Sequence, residues 1–120
     1  MWVYQISTGD LQHDGEHIGT CYAGQGDGLN NPELSHVRNY GPLPKGLYTI
    51  GPVFRHTSKG PVCMRLKPTA GVEMHGRDGF MIHGDNKLMN RTASEGCIIA
   101  NLTIRQDIAQ SKDRELLVIP

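Results

Sequence analysis

Short apolar runs separated by turn residues follow one another along most of the chain. They are four to seven residues long, the length of a strand rather than of a helix. The pattern predicts strands at residues 2–7, 17–23, 46–51, 62–68, 80–84, 97–100 and 115–120. Because 15 glycines and 7 prolines punctuate these runs, we predict a mainly β fold, a β-sandwich or small barrel.

Two segments between the predicted strands differ in character. Residues 7–15, "STGDLQHDG", hold a pair of turn signals and predict an opening hairpin or meander. Residues 24–44, "GQGDGLNNPELSHVRNYGPLP", form a long stretch rich in glycine, asparagine and proline. A loop of this length is usually functional or disordered.

One short helix is predicted near the C-terminus, in "NLTIRQDIAQSK" (residues 101–112). Ile104 and Ile108 lie about one turn apart and would share a buried face. Asn101 or Thr103 can cap the N-terminus, and Thr103 with Gln106 also fits a capping box.

The composition indicates one globular domain over residues 1–120. Twelve basic residues balance twelve acidic ones, so we expect no nucleic-acid partner, and we expect a monomer. No apolar run approaches the roughly 18 residues that span a bilayer, so no membrane insertion is expected. The start, "MWVYQISTGD", lacks the basic and apolar regions of a signal peptide. We therefore expect synthesis in the cytoplasm without a cleaved signal.

Three cysteines leave at least one thiol free unless it pairs between chains. Cys21 and Cys63 are either bridged or, as we favour, two small buried hydrophobic residues. Cys97 follows "SEG" at the start of an apolar run. A glycine before a nucleophile lets the backbone bend sharply and leaves an N–H open to a developing oxyanion.

A thiol nucleophile needs a base or a cationic neighbour, and His83 is the best-placed histidine. In "GFMIHGD" the alternation puts Phe80 and Ile82 on one face and Met81 and His83 on the other. Gly84 then ends the strand, so His83 lies where a strand opens into a loop. Asp85 could orient the imidazole, anchor the loop or bind a cationic group of a substrate.

A zinc site is the main alternative for these residue types, because His75, His83, Asp85 and Cys97 are all competent ligands. No HExxH motif or paired-cysteine spacing accompanies them. We therefore expect neither a metal nor another cofactor.

The order of motifs along the chain points to a family. "HGD" (83–85) followed by "ASEGCIIA" (93–100) resembles the signature of L,D-transpeptidases, in which a His-Gly pair precedes a Ser-x-Gly-Cys element. "GPLPKGLYTIG" (41–51), "MRLKP" (64–68) and "GRDGFMIHGD" (76–85) extend the likeness to nearly the whole chain. The chain resembles the short branch of that superfamily, formerly a domain of unknown function, which includes antibacterial effectors delivered by type VI secretion.

The resemblance implies roles for particular residues. Cys97 would be the nucleophile and His83 its general base. The Gly96–Cys97 backbone would lie at the oxyanion position, with Ser94 shaping the turn.

This chain also departs from the larger transpeptidases at two positions. Glu95 stands where they commonly have a second histidine, and Ile99 where they have an arginine. The missing positive charge for the substrate carboxylate would come from Arg77, Arg91 or Arg105.

The implied activity is removal of the terminal D-alanine from peptidoglycan tetrapeptide stems by a cysteine L,D-carboxypeptidase, with transpeptidation or D-amino-acid exchange as a further outcome. An antibacterial effector of this kind would act in the periplasm of a target bacterium. It would have an immunity protein and a carrier in the secretion apparatus as partners. The alternatives are a non-catalytic wall-binding module, a phage lysis protein and a zinc-dependent peptidase.

Overall fold

Nine strands in a single sheet and one α-helix make up the fold in the computed structural model, which describes residues 1–120. The strands are β1 (Trp2–Gln5), β2 (Asp10–His13), β3 (Glu16–Thr20), β4 (Tyr22–Ala23), β5 (Gly46–His56), β6 (Gly60–Pro68), β7 (Met81–His83), β8 (Ile98–Ile99) and β9 (Glu115–Ile119). The helix α1 spans Leu102–Gln110, and the segments Gly26–Gly28 and Pro32–Leu34 are single 3-10 turns.

The sheet curls until its two edges nearly meet. Its strand order is β3-β2-β1-β9-β5-β6-β7-β8-β4, so the edge strands β3 and β4 are consecutive in the chain. Only Cys21 separates them, and its N–H donates to the carbonyl of Gly9 at 2.7 Å. Because a single residue joins the two edge strands, the sheet forms a nearly closed barrel. The predicted mainly β fold with one helix near the C-terminus is confirmed.

The core lies inside this curled sheet and is closed by the helix. Asn101 Oδ1 accepts from the N–H of Ile104 at 2.9 Å, which starts α1 one residue later. The face carrying Ile104 and Ile108 is buried, as predicted. The largest core side chains are Trp2, Tyr4, Ile6, Leu11, Leu43, Tyr48, Met64, Ile82, Ile98 and Leu116.

Every predicted strand differs from the observed one by at least one residue at an end, and three differences are larger. The run 17–23 is two strands, because the chain leaves β2 at Cys21 and crosses to β8. The strand predicted at 46–51 continues to His56 as the outer half of a hairpin with β6. The segment 7–15 contains β2 as a strand of its own, and β1, β2 and β3 form the predicted opening meander.

The helix and the cysteines settle two open alternatives. Asn101, and not Thr103, caps α1, which ends at Gln110 rather than at residue 112. Cys21 and Cys63 are both buried and free, so the alternative of a bridge between them is not realised. None of the helical segments is long and apolar enough to cross a membrane.

Candidate active site

The parallel pairing of β7 with β8 positions the two predicted reacting residues. In the register, Ile82 is opposite Ile98 and His83 is opposite Ile99. Ile82 and Ile98 both point into the core, so their neighbours in sequence point to the other face. Cys97, one residue before β8, therefore shares a face with His83 and lies diagonally across the strand pair from it. Both side chains line one cleft of about 380 Å³.

The imidazole of His83 is oriented by the backbone. Its Nδ1 lies 2.8 Å from the carbonyl oxygen of Gly84. A carbonyl oxygen only accepts hydrogen bonds, so Nδ1 carries the proton and, in the neutral ring, Nε2 holds the lone pair. The His83 side chain is buried, with an exposed fraction of 1%. With Nδ1 bound to Gly84, Nε2 is the nitrogen available to accept a proton.

Burial keeps both reacting groups neutral at rest. It raises the pKa of the Cys97 thiol, and the nearby Glu95 carboxylate acts in the same direction. Burial also lowers the pKa of the His83 imidazole, outweighing the hydrogen bond to Gly84. The pair is therefore a protonated thiol beside a neutral imidazole, the arrangement that suits general-base activation rather than a preformed ion pair.

Ser94 holds the turn that precedes Cys97. Its hydroxyl, fully buried, accepts from the N–H of Gly24 at 2.8 Å and of Gly96 at 3.1 Å, and donates to the Cys97 carbonyl at 2.6 Å. The Gly96 N–H is thus already bound. The N–H of Cys97 has no acceptor in the protein. Of the predicted Gly96–Cys97 backbone, it is therefore the group that is free to bind an oxyanion.

Arg77 clamps the same turn against the long loop. One guanidinium nitrogen, Nη1, donates to the carbonyls of Ser35 (2.6 Å) and Pro42 (2.9 Å), and Nη2 donates to those of Gly41 (3.0 Å) and Glu95 (2.9 Å). Arg77 is 7% exposed. Its donors are committed to the backbone, so the structure gives it a positioning role in place of the expected substrate contact.

Gly96 needs to be a glycine under this clamp. Its φ of 136° lies where side chains are disfavoured. A Cβ there would approach Phe80 Cε1 to 2.6 Å and Arg77 Nη2 to 2.7 Å. The bend before Cys97 therefore depends on the missing side chain.

Arg105 joins the end of β8 to the start of β6. Its Nε donates to the Ala100 carbonyl at 3.0 Å, and Nη1 donates to the carbonyls of Pro61 and Val62, each at 3.1 Å. A Cβ on Gly84 would lie 2.7 Å from Nη2, so the guanidinium would have to shift for a larger residue there. Arg105 is thus held mainly by backbone contacts.

Asp85 and Arg91 lie around a different cavity. Asp85 Oδ1 accepts from the Tyr22 hydroxyl at 2.8 Å, which anchors the loop after β7. Asp85, Arg91 and Arg105 line a cavity of about 410 Å³ that does not include Cys97 or His83. Ile99, at the position of the expected arginine, is buried and lines this second cavity.

The cleft around Cys97 contains two cations that the sequence analysis missed. Arg38 comes from the long loop 24–44 and Lys59 from the turn between β5 and β6. Asp78 and Glu95 supply negative charge to the same cleft. Each cation lies far along the chain from His83 and Cys97 and reaches the site only on folding. A local sequence pattern therefore does not indicate either of them.

The alternative zinc set is not assembled. His83 Nδ1 is bound to Gly84, Asp85 is bound to Tyr22, and His75 packs edge-on against His36. The one group of three metal-competent side chains is His13, Asp14 and Asp113, far along the chain from the predicted set. There the N-terminal ammonium already binds both carboxylates.

Comparison with known proteins identifies the family of the chain. Residues 17–118 match the Tlde1 domain. The chain belongs to the Tlde1 domain family. This is an L,D-transpeptidase-like family, as the motif order predicts. No curated protein sequence matches the chain.

A solved structure shares the fold of this Tlde1 domain. It is the structure of the Ldtfm–avibactam carbamoyl enzyme, with a TM-score of 0.55 and 12% identity. The match covers 99% of this chain and 48% of that one, so the chain spans about half the length of its structural relative. The likeness shows the fold alone.

Replacing Arg77 with methionine should destabilise the Tlde1 domain. The change leaves four carbonyls without their donor, and we expect the free energy of unfolding to fall by roughly 2–4 kcal/mol. Arg91→Met is the matched control, because Arg91 is exposed and makes no hydrogen bond. Urea denaturation compares the two variants. Equal unfolding midpoints would mean that the clamp contributes nothing.

The pH dependence of the free thiol tests the neutral pair. Because burial raises the pKa of Cys97, its alkylation by iodoacetamide should accelerate through a midpoint above 9.0. The His83 ring, whose pKa is lowered by burial, should titrate below 6.5 by NMR. Mass spectrometry localises the alkylation, with buried Cys21 and Cys63 as internal controls. Full reactivity already at pH 7 would instead indicate a thiolate–imidazolium pair.

Proposed function

We propose that this Tlde1 domain is a cysteine L,D-carboxypeptidase that removes the terminal D-alanine from peptidoglycan tetrapeptide stems. The observation that carries the proposal is the placement of Cys97 and His83 on one face of the β7–β8 pair, lining one cleft. Membership of an L,D-transpeptidase-like family supports peptidoglycan as the substrate.

The first half of the reaction forms an acyl-enzyme. As the Cys97 sulfur attacks the carbonyl carbon of the third stem residue, its proton passes to Nε2 of His83. The negative charge that develops on the carbonyl oxygen is stabilised by the free N–H of Cys97. The C–N bond then breaks, and the imidazolium returns its proton to the nitrogen of the departing D-alanine. A thioester on Cys97 results.

The second half depends on the acceptor. Water attacks the thioester while His83 takes one of its protons, and the sulfur leaves and regains that proton as the thiol. The product is the tripeptide with a free carboxylate. An amine acceptor in place of water gives transpeptidation or exchange of the last D-amino acid. We propose hydrolysis as the main outcome, with exchange as a secondary one.

The biological role follows from this chemistry. Trimming tetrapeptides removes the donors that L,D cross-linking uses and weakens a growing wall, which suits an antibacterial effector. We propose delivery by a type VI secretion apparatus to the periplasm of a target bacterium. An immunity protein would protect the producing cell, and a carrier of the secretion apparatus would transport the effector.

A muropeptide assay tests the activity. Purified protein is incubated with disaccharide-tetrapeptide and disaccharide-pentapeptide, with and without added D-amino acid, and products are read by mass. We expect loss of D-alanine from the tetrapeptide only. Cys97→Ala removes the nucleophile and should abolish the reaction, and His83→Gln should reduce it by at least ~100-fold.

Circular dichroism of both variants controls for folding. Pentapeptide cleavage, or undiminished activity of folded Cys97→Ala, would contradict the proposed chemistry. An inert wild-type protein that still binds sacculi would favour the wall-binding module instead. Mass gain from the added D-amino acid would assign exchange.

A further inference from the structure

The arginines predicted from the sequence are not free to bind a substrate carboxylate in the cleft. Arg77 donates four hydrogen bonds to backbone carbonyls, and Arg105 donates three. Arg91 lines the cavity that excludes Cys97 and His83. A free cation for a substrate carboxylate must therefore come from elsewhere.

Lys59 lines the cleft and has no ion-pair partner in the protein. It lines the same cavity as Cys97 and His83, at the turn between β5 and β6. No carboxylate lies within 4.0 Å of its ammonium group. It is exposed, so a ligand can reach it without displacing a protein partner.

The electrostatic effect of Lys59 reaches both reacting side chains. Burial is the main influence on each pKa, but the Lys59 charge also lowers the pKa of Cys97 and of His83. Arg38, which lines the same cleft, donates to the Gly76 carbonyl at 3.3 Å. Arg77 also lines the cleft, but its guanidinium is bound to backbone carbonyls. Lys59 is thus the cation of the cleft whose side chain has no partner in the protein.

The turn that carries Lys59 is fixed at both ends. On one side, His56 Nδ1 accepts from the backbone N–H groups of Ser58 and Lys59, each at 3.1 Å. On the other side, Val62 has a φ of 61°, a strained conformation for a β-branched residue. Arg105 Nη1 binds the carbonyls of Pro61 and of this same Val62. The strained backbone after the turn is therefore tied to α1, which carries Arg105.

The substrate of the proposed reaction needs a cation at this place. The carboxylate of the terminal D-alanine is three bonds from the carbonyl carbon that Cys97 attacks. Its binding partner must therefore lie close to the nucleophile, and charge-assisted hydrogen bonds are the strongest that such a group can make.

We infer that Lys59 is the substrate-binding residue that recognises the free carboxylate of the terminal D-residue. The inference rests on the proposed function and adds to it a specificity determinant. It makes the site selective for stems that end in an unmodified carboxylate.

The test compares two substrates that differ in one group: the disaccharide-tetrapeptide and the same compound with its terminal carboxylate replaced by a carboxamide. We expect the wild-type protein to prefer the carboxylate by roughly 10–100-fold in kcat/KM, chiefly through KM. Lys59→Met should remove most of this preference, whatever its effect on the turnover that the two substrates share, and Lys59→Arg should restore it. Lys112→Met, an exposed lysine beyond α1, should behave as wild type.

Binding to catalytically inactive protein separates recognition from chemistry. Calorimetry with Cys97→Ala should show tighter binding of the carboxylate than of the amide, and Cys97→Ala/Lys59→Met should bind the two equally. Lys59→Met with an undiminished preference in either assay would overturn the inference. If wild-type protein cleaves neither compound but the binding preference depends on Lys59, carboxylate recognition stands and the hydrolytic proposal fails.

Discussion

The parallel pairing of β7 with β8 is the constraint on which the site depends. Ile82 and Ile98 face each other in this pair and are locked in the core, and a shift of one residue would expose them. The register therefore fixes which face His83 and Cys97 occupy. Parallel strands cannot be joined by a tight turn, so the connection between them is free to carry the polar residues around the site.

Backbone groups, rather than charged partners, hold the reacting side chains. Gly84 orients His83, Ser94 binds the turn before Cys97, and Arg77 ties that turn to the loop 24–44. None of these contacts is an ion pair to the thiol or to the imidazole. Burial then keeps thiol and imidazole neutral until a substrate arrives.

The sequence predicts the strands that contain several apolar residues and misses the strand segments that contain few. β2 has one buried residue, Leu11, and the outer half of β5 is largely exposed, so neither shows a clear apolar pattern. Cys97 and His83 were predictable from alternation and motif order. The clamp of Arg77 was not, because backbone carbonyls carry no sequence signature. Lys59 was not predicted either, because the β5–β6 hairpin that brings it to the cleft is distant in sequence from Cys97 and His83.

Trapping the acyl-enzyme tests the central claim most directly. Protein mixed with excess tetrapeptide is quenched in acid within the first turnover, digested and examined by mass spectrometry. We expect an adduct equal to the stem without its terminal D-alanine, on the peptide that contains Cys97 and on neither of the peptides that contain Cys21 and Cys63. Release of D-alanine with no adduct on Cys97 under any quench, or with the adduct on another residue, would contradict it.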